Sequence, residues 1–108
     1  RLNDIELWFA GGNNTNKLQY VIEPNIPFYY LCDWDNRGIE IFQRVKHLFP
    51  KIQLLMPHEP IKYKTLKENQ RWTIMINQNL FTEKELHIIE QLINNNQWIE
   101  EESIIWSI

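Results

Sequence analysis

The chain has 108 residues, 44% of them hydrophobic and 13% aromatic, which fits a single packed domain over residues 1–108. Its formal net charge of −3 argues against a free-standing domain that binds DNA by neutralising many phosphates. No apolar run approaches the roughly 20 residues that cross a bilayer, and no segment has the pattern of a secretion signal, so we expect a cytoplasmic protein without a membrane partner. Because the chain opens with Arg1 rather than Met, we interpret it as the C-terminal fragment of a longer protein.

The N-terminal third predicts one strand, one helix and a second strand. Residues 5–10 have the pattern of a short strand that a glycine pair ends, and apolar residues at 18, 21 and 22 then recur at helical spacing before two prolines. Residues 28–32 form a continuous apolar run, which is typical of a strand covered on both faces. The run ends in Cys32, the one cysteine, which we expect in the core and which excludes a disulfide framework and a Cys-based zinc site.

The middle of the chain continues the alternation of strands and helices. An apolar stripe of helical period follows Gly38 and ends at Pro50, and residues 52–56 then predict a third strand. Strands and helices in this order favour a parallel sheet with right-handed crossovers. Residues 58–71 contain four basic side chains and few apolar ones, which indicates a connecting loop or weak helix that either contacts phosphate or is simply solvated.

The strongest local signal lies in the last third. Thr82 and Glu85 have the spacing of a capping box, and apolar residues at 86, 89 and 93 follow as the buried stripe of a helix that three asparagines end. Residues 97–106 mix acidic and large apolar side chains, and their pattern leaves a strand and a short helix both open.

Two carboxylates stand where the second predicted strand gives way to its helix. Asp33 and Asp35 are two residues apart, so in extended backbone they point to the same side. Ligand sites of open α/β sheets lie at the carboxyl ends of the strands, and Mg²⁺ binds one or two carboxylates together with water and substrate phosphates. The pattern therefore predicts a metal site, while the alternative is that these residues only form the turn and cap the helix.

A hydrophobic strand followed by Asp-x-Asp-x-x-Gly and a helix resembles the second signature of the Toprim superfamily of topoisomerases, primases and nucleases. The string YLCDWDNRGIEIFQRVKHLFPKIQLLMP resembles the C-terminal Toprim region of the nuclease subunit of Wadjet-type plasmid-defence systems. That family has a Leu-Glu-Gln-Glu string after a Thr-x-x-Glu helix, and residues 99–102 (IEEE) occupy the equivalent place here. The resemblance spans most of the chain and is poorest over residues 57–81.

The resemblance implies a Toprim-like (Rossmann-like), mainly parallel sheet of about four strands with helices on both faces. It implies that Asp33 and Asp35 bind Mg²⁺ or Mn²⁺, that Glu100 and Glu102 support the same metal site, and that Asp33, Asp35 and Glu100 are catalytic. The implied activity is metal-dependent DNA phosphodiester cleavage within an anti-plasmid complex, with DNA and condensin-like SMC proteins as partners and a homodimer left open.

One departure from the superfamily pattern leaves the enzymatic activity open. The superfamily places a catalytic Glu at the end of its first strand, whereas residues 10–14 of this chain read AGGNN, and Glu6 lies too early to replace it. Asparagine could bind a metal but could not accept a proton at neutral pH. The alternative function is a catalytically degenerate Toprim domain that serves as a DNA-binding or partner-docking scaffold.

Two other interpretations remain open. In phosphatases of the haloacid dehalogenase type, a strand-terminal Asp-x-Asp supplies a nucleophile and a general acid, but their motif continues with Thr or Ser where this chain has Asn36. A docking scaffold could instead use exposed tryptophans as anchors, the candidates being Trp34, Trp98 and Trp106. The three histidines lack metal-ligand spacing and predict surface residues.

Overall fold

The structure is a computed structural model that describes residues 27–105 and the backbone of residues 6–8. The first predicted helix, the AGGNN segment and Trp106 lie outside the described residues. None of the helices in the described part is long and apolar enough to cross a membrane.

The first sheet contains three parallel strands in the order β1 (Glu6–Trp8), β2 (Phe28–Tyr30) and β3 (Gln53–Leu54). The helix α1 (Asn36–Leu48) connects β2 to β3. A parallel pair needs such a crossover, because the chain must return to the same end of the sheet before the next strand begins. The predicted β–α–β order around Asp33 is therefore confirmed.

The first layer of the core lies between this sheet and α1. Ile39, Phe42 and Val45 recur along one face of the helix and are almost completely buried. The Phe42 ring contacts Tyr30 of β2, with ring centroids 5.9 Å apart. Cys32 is buried, as predicted. The 3.6-residue spacing of the apolar side chains thus fixes which face of α1 covers the sheet.

The second sheet is an antiparallel pair of β4 (Tyr63–Thr65) and β5 (Gln97–Ile99). Between these strands run a short 3-10 helix (Gln78–Leu80) and α2 (Glu83–Asn95), and β5 is followed directly by α3 (Glu101–Ile105). The basic segment contains a strand where the sequence predicted a loop or weak helix. The last segment contains both of its open alternatives, since it forms a strand and then a short helix.

The capping box predicted for α2 is confirmed. The Thr82 hydroxyl accepts a hydrogen bond from the backbone N–H of Glu85, and the Glu85 carboxylate accepts one from the N–H of Thr82, at 3.2 and 2.8 Å. The helix ends at Asn96, which adopts the left-handed conformation with φ of 57°. Asparagine tolerates this conformation better than most residues, which explains why the chain turns there into β5.

A single backbone bridge joins the two sheets. Trp34 donates its backbone N–H to the carbonyl of Ile99 at 2.8 Å, and Ile99 donates its own N–H to the carbonyl of Trp34 at 3.2 Å. Both side chains are completely buried, together with Ile104 of α3. The end of β5 is therefore docked at the exit of β2, which brings α3 next to Asp33.

This arrangement differs from the sheet of about four parallel strands expected from the sequence. Within the described residues, three strands are parallel, and the two C-terminal strands form a separate antiparallel pair. The difference arises because β4 and β5 pair with each other across α2, a choice of partner that strand propensity does not encode.

Residues 71–77, here called the strap segment, cross α1 without forming a strand. The Asn36 side chain binds Thr73 and Ile74 through three hydrogen bonds of 2.7 to 3.1 Å. Two turns later on α1, the Gln43 amide accepts from the N–H of Asn77 at 2.8 Å and donates to the carbonyl of Met75 at 3.1 Å. Two side-chain amides on α1 thus bind backbone groups of the strap segment, which pairs with no strand among the described residues.

Candidate functional site

Asp33 lies at the exit of β2 and connects it to the C-terminal helix. Its Oδ1 accepts the backbone N–H of Glu101 at 2.7 Å, across 68 residues of sequence. Glu101 is the first residue of α3, where backbone N–H groups have no partner inside the helix. The hydrogen bond orients the Asp33 carboxylate, which retains further lone pairs for another ligand.

Asp35 caps α1. Its Oδ1 accepts the backbone N–H of Gly38 at 2.7 Å. Burial raises the pKa of the Asp35 carboxyl above its ordinary value and the nearby Asp33 carboxylate adds to the shift, although the N–H groups of Gly38 and Arg37 oppose it. Asp35 therefore caps the helix, as the alternative interpretation predicted. The capping carboxylate is also close enough to Asp33 for the two charges to interact.

Gly38 explains the spacing of the Asp-x-Asp-x-x-Gly motif. A Cβ at this position would lie 1.9 Å from the carbonyl oxygen of Asp33 and 3.1 Å from Oδ1 of Asp35. The first turn of α1 therefore packs directly against the backbone that carries the acid pair. Only glycine allows this close approach, since the Asp33 carbonyl is backbone and cannot swing aside.

Glu101 is the third carboxylate at this site, and it does not stand out in the sequence from Glu100 and Glu102. The pKa of Glu101 is raised first by burial, second by the Asp33 carboxylate, and then by the carboxylates of Glu102, Glu100 and Asp35. The same groups act on Cys32, whose thiol pKa is raised by burial and then by Asp35, Asp33 and Glu101. The Asp33 carboxylate thus contributes to the raised pKa of both Asp35 and Glu101, and these three residues are called the acid cluster below.

The two glutamates predicted to support the metal site lie in different surroundings. Glu100 forms an ion pair with Lys64, with the Oε2 and Nζ atoms 3.1 Å apart, and Glu102 is exposed on α3. Identifying Glu101 from the sequence would have required the boundary between β5 and α3, because a run of three glutamates does not reveal which one faces Asp33.

The negative charge of the acid cluster favours a divalent cation. The cluster does not, however, supply a complete set of protein ligands for a metal ion. Among the described residues, no three His, Cys, Asp or Glu side chains are arranged to hold a metal ion as they stand. Mg²⁺, however, commonly binds one or two carboxylates and takes its other ligands from water and substrate. The pKa values of Asp35 and Glu101 are raised first by burial and to a smaller extent by the neighbouring carboxylates, and a cation would relieve that like-charge repulsion. The residues present therefore fit Mg²⁺ or Mn²⁺ bound through few protein ligands.

A cleft of about 590 Å³ opens beside Asp35. Its lining includes Asp35 and Arg37 at the start of α1, Arg71 and Thr73 of the strap segment, and Trp98 of β5. The cleft thus shares Asp35 with the acid cluster.

The predicted tryptophan anchors have different environments. Trp34 is 0% exposed, so it cannot anchor a partner, and its indole N–H has no hydrogen-bond partner in the part of the chain that the structure describes. Trp98 is half-buried and reaches the cleft. The three histidines are exposed, in agreement with the prediction of surface residues.

The comparisons with known proteins identify one family. The family model described as "Wadjet protein JetD, C-terminal" matches residues 3–108. No curated protein and no solved structure matches the chain. Because the match covers nearly the whole chain, from the first strand through the acid cluster to the last residue, this protein belongs to the family of Wadjet JetD C-terminal domains.

Proposed function

We propose that this chain is a Toprim-like domain that participates in Wadjet plasmid defence and cleaves DNA phosphodiesters with Mg²⁺ or Mn²⁺. Membership of the Wadjet JetD family supports the role in plasmid defence. The observation that carries the chemical part is the acid pair at the exit of β2. Asp33 and Asp35 are held there by backbone N–H groups of two different helices, at 2.7 Å in each case.

The proposal gives each acidic residue a role. Asp33 and Asp35 would bind the metal through carboxylate oxygens, because both are oriented at the strand exit. Glu101 would complete the site or accept a proton, since α3 begins at this residue and its backbone N–H is hydrogen-bonded to Asp33. Glu100 and Glu102 would support the site from outside the acid cluster, and Lys64 holds Glu100 in place.

A bound divalent ion supplies charge stabilisation to a phosphodiester in displacement and lowers the pKa of water. The contribution of the chain is a rigid frame, because Gly38 packs the start of α1 against the Asp33 carbonyl. The proposed partners follow from the same family assignment: DNA, and other subunits of the defence complex such as condensin-like SMC proteins.

Metal binding is tested by thermal unfolding of the chain with and without Mg²⁺ or Mn²⁺. At a metal concentration about 100 times the dissociation constant, binding stabilises the native state by about 2.7 kcal/mol. In a domain of this size, each kcal/mol of stabilisation raises the melting temperature by roughly 4–8 °C. Asp33→Asn and Asp35→Asn should abolish the shift. Asn caps a helix about as well as Asp, so Asp35→Asn removes the charge while it preserves the cap.

The matched control is Glu90→Gln, which removes an exposed carboxylate of α2 and should leave the metal response unchanged. Cleavage is tested with the protein and plasmid DNA, where nicking should require divalent metal and should disappear in Asp35→Asn. The proposed site would be contradicted if neither Mg²⁺ nor Mn²⁺ changed the melting temperature of the wild-type chain.

A second candidate function is a DNA-binding or partner-docking scaffold without catalysis. It is favoured by the AGGNN sequence at residues 10–14, where the superfamily has its catalytic Glu, and by the absence of a three-residue metal group in the described ranges. Wild-type protein that binds DNA but shows neither a metal response nor cleavage would establish this function instead.

A further inference from the structure

We infer that the strap segment braces the acid cluster, with Asn36 and Trp72 as positioning residues that fix Asp35 relative to Glu101. These two acidic residues lie far apart in the sequence, at the start of α1 and at the start of α3. The strap segment contacts the elements that lead to both of them. The effect on metal binding rests on the proposed function, whereas the brace itself does not.

One end of the brace is at the N-terminal turn of α1. Asn36 is the residue after Asp35, and its Oδ1 accepts the backbone N–H groups of Thr73 and Ile74 at 2.7 and 2.9 Å. Its Nδ2 donates to the Thr73 hydroxyl at 3.1 Å. An amide that accepts twice and donates once in this way has one orientation. Three hydrogen bonds therefore hold the strap segment against the residue next to Asp35.

The other end of the brace is at the first residue of β5. Trp72 donates its indole N–H to the carbonyl of Gln97 at 2.8 Å. The half-buried side chains of Trp72, Ile74 and Ile76 pack against the core, while the residues between them are exposed. The strap segment is thus attached to the core at alternate residues along one face.

These contacts close a ring that includes the backbone of Asp35. β5 is held at its last residue by the backbone bridge between Ile99 and Trp34, and at its first residue by Trp72. Trp34 and Asn36 flank Asp35 in the sequence. Both ends of β5 are therefore connected to the backbone on either side of this carboxylate.

The ring determines where Glu101 lies. Glu101 follows Ile99 by two residues, and its N–H binds Asp33 at 2.7 Å. Rotation of β5 about the Trp34 bridge would carry Glu101 away from Asp33, and the attachment of Trp72 at the opposite end of the strand opposes that rotation. Contacts that orient metal ligands in this way raise metal affinity, because less freedom remains to be lost when the ion binds.

The brace is tested without metal by hydrogen exchange of the Glu101 N–H, measured by NMR on the chain in EDTA. Asn36→Ala and Trp72→Phe should each accelerate this exchange about three- to tenfold, the protection expected from one hydrogen bond. Trp72→Phe keeps an aromatic ring against the core, so it carries the test if Asn36→Ala does not fold. Asn36→Asp keeps both acceptor contacts to the strap segment and should restore exchange close to the wild-type rate.

The matched control is Gln43→Ala. Gln43 also binds the strap segment, through two hydrogen bonds to Met75 and Asn77, but it lies two turns farther along α1. Its loss should destabilise the chain in urea and change the exchange of the Glu101 N–H by less than about twofold. The inference is overturned if Gln43→Ala accelerates this exchange as much as Asn36→Ala does, because the effect would then reflect general stability.

The contribution to the metal site is tested by titration with Mn²⁺, followed by the loss of the EPR signal of the free ion. Asn36→Ala and Trp72→Phe should weaken Mn²⁺ binding about tenfold, as expected when groups that orient metal ligands are removed. Gln43→Ala should stay within about twofold of wild type. The titration is carried out well below the melting temperature of every variant, so that a loss of stability alone does not change the affinity.

The two proposals can fail separately. A wild-type chain that does not bind Mn²⁺ but shows the expected exchange pattern counts against the cleavage site alone. A wild-type chain that binds Mn²⁺, with Glu101 exchange unchanged in Asn36→Ala and Trp72→Phe, counts against the brace alone. Accelerated exchange with unchanged Mn²⁺ affinity would overturn the positioning role of the two residues.

Discussion

Replacement of Gly38 by alanine tests the claim that the acid pair depends on close packing between α1 and the exit of β2. In an ordinary helix interior, Gly→Ala stabilises a protein by roughly 0.5–1 kcal/mol. Here the added Cβ would lie 1.9 Å from the Asp33 carbonyl oxygen, far inside van der Waals contact, so the first turn of α1 must move. Overpacking costs about 1–3 kcal/mol, and loss of the Asp35 cap costs about 1 kcal/mol more. We therefore expect destabilisation of about 2–4 kcal/mol.

The assay is urea unfolding of wild type and Gly38→Ala, followed by circular dichroism at constant pH. Gln91→Ala, at an exposed position of α2, is the control for the effect of alanine on a helix and should lie within about 0.5 kcal/mol of wild type. The variant should also lose most of the proposed metal response, because the clash is with the backbone of Asp33, which carries one of the two carboxylates. A Gly38→Ala protein that is as stable as wild type, or more stable, would refute the packing argument, since the two effects have opposite signs.

Two further predictions concern the strap segment and pH. Asn36→Ala removes three hydrogen bonds to Thr73 and Ile74, so it should destabilise the chain by about 2 kcal/mol in urea unfolding, whereas Asn36→Asp keeps both acceptor contacts and should cost less. Because the folded state raises the pKa of Asp35 and Glu101, it binds these protons more tightly than the unfolded state does. The stability contributed by these two groups is thus fully present below their pKa values in the unfolded state, and it is lost as the pH rises through their pKa values in the folded state. The urea midpoint measured in EDTA should therefore fall with rising pH, and Glu101→Gln should make this fall smaller. A steeper decline in that variant would contradict the coupling.

The sequence predicted those parts of the site that depend on single strands and helices. The apolar run before Asp33 predicted β2, and the helical stripe after Gly38 predicted α1, because burial on one sheet and one helix face leaves a periodic trace. The same argument identified α2 through its capping box. The position of Asp33 and Asp35 at the strand exit followed directly from these elements.

The other parts of the site depend on pairing between distant segments. The strap is held by the side-chain amides of Asn36 and Gln43, which read in the sequence as ordinary polar helix residues. Glu101 approaches Asp33 only because β5 docks on Trp34, a contact across the length of the domain. No periodicity within either segment encodes that contact, and for this reason the run of three glutamates could not be resolved.

The bridge between Trp34 and Ile99 has a consequence for the order in which the domain is assembled. Asp33 emerges from the ribosome long before its hydrogen-bond donor, the Glu101 N–H, is synthesised. A nascent chain that stops before β5 has no Glu101 N–H to bind Asp33, and it lacks the second strand of the antiparallel pair. Completion of the acid cluster thus reports that translation has passed residue 101, and a prematurely terminated chain would be left without the finished site.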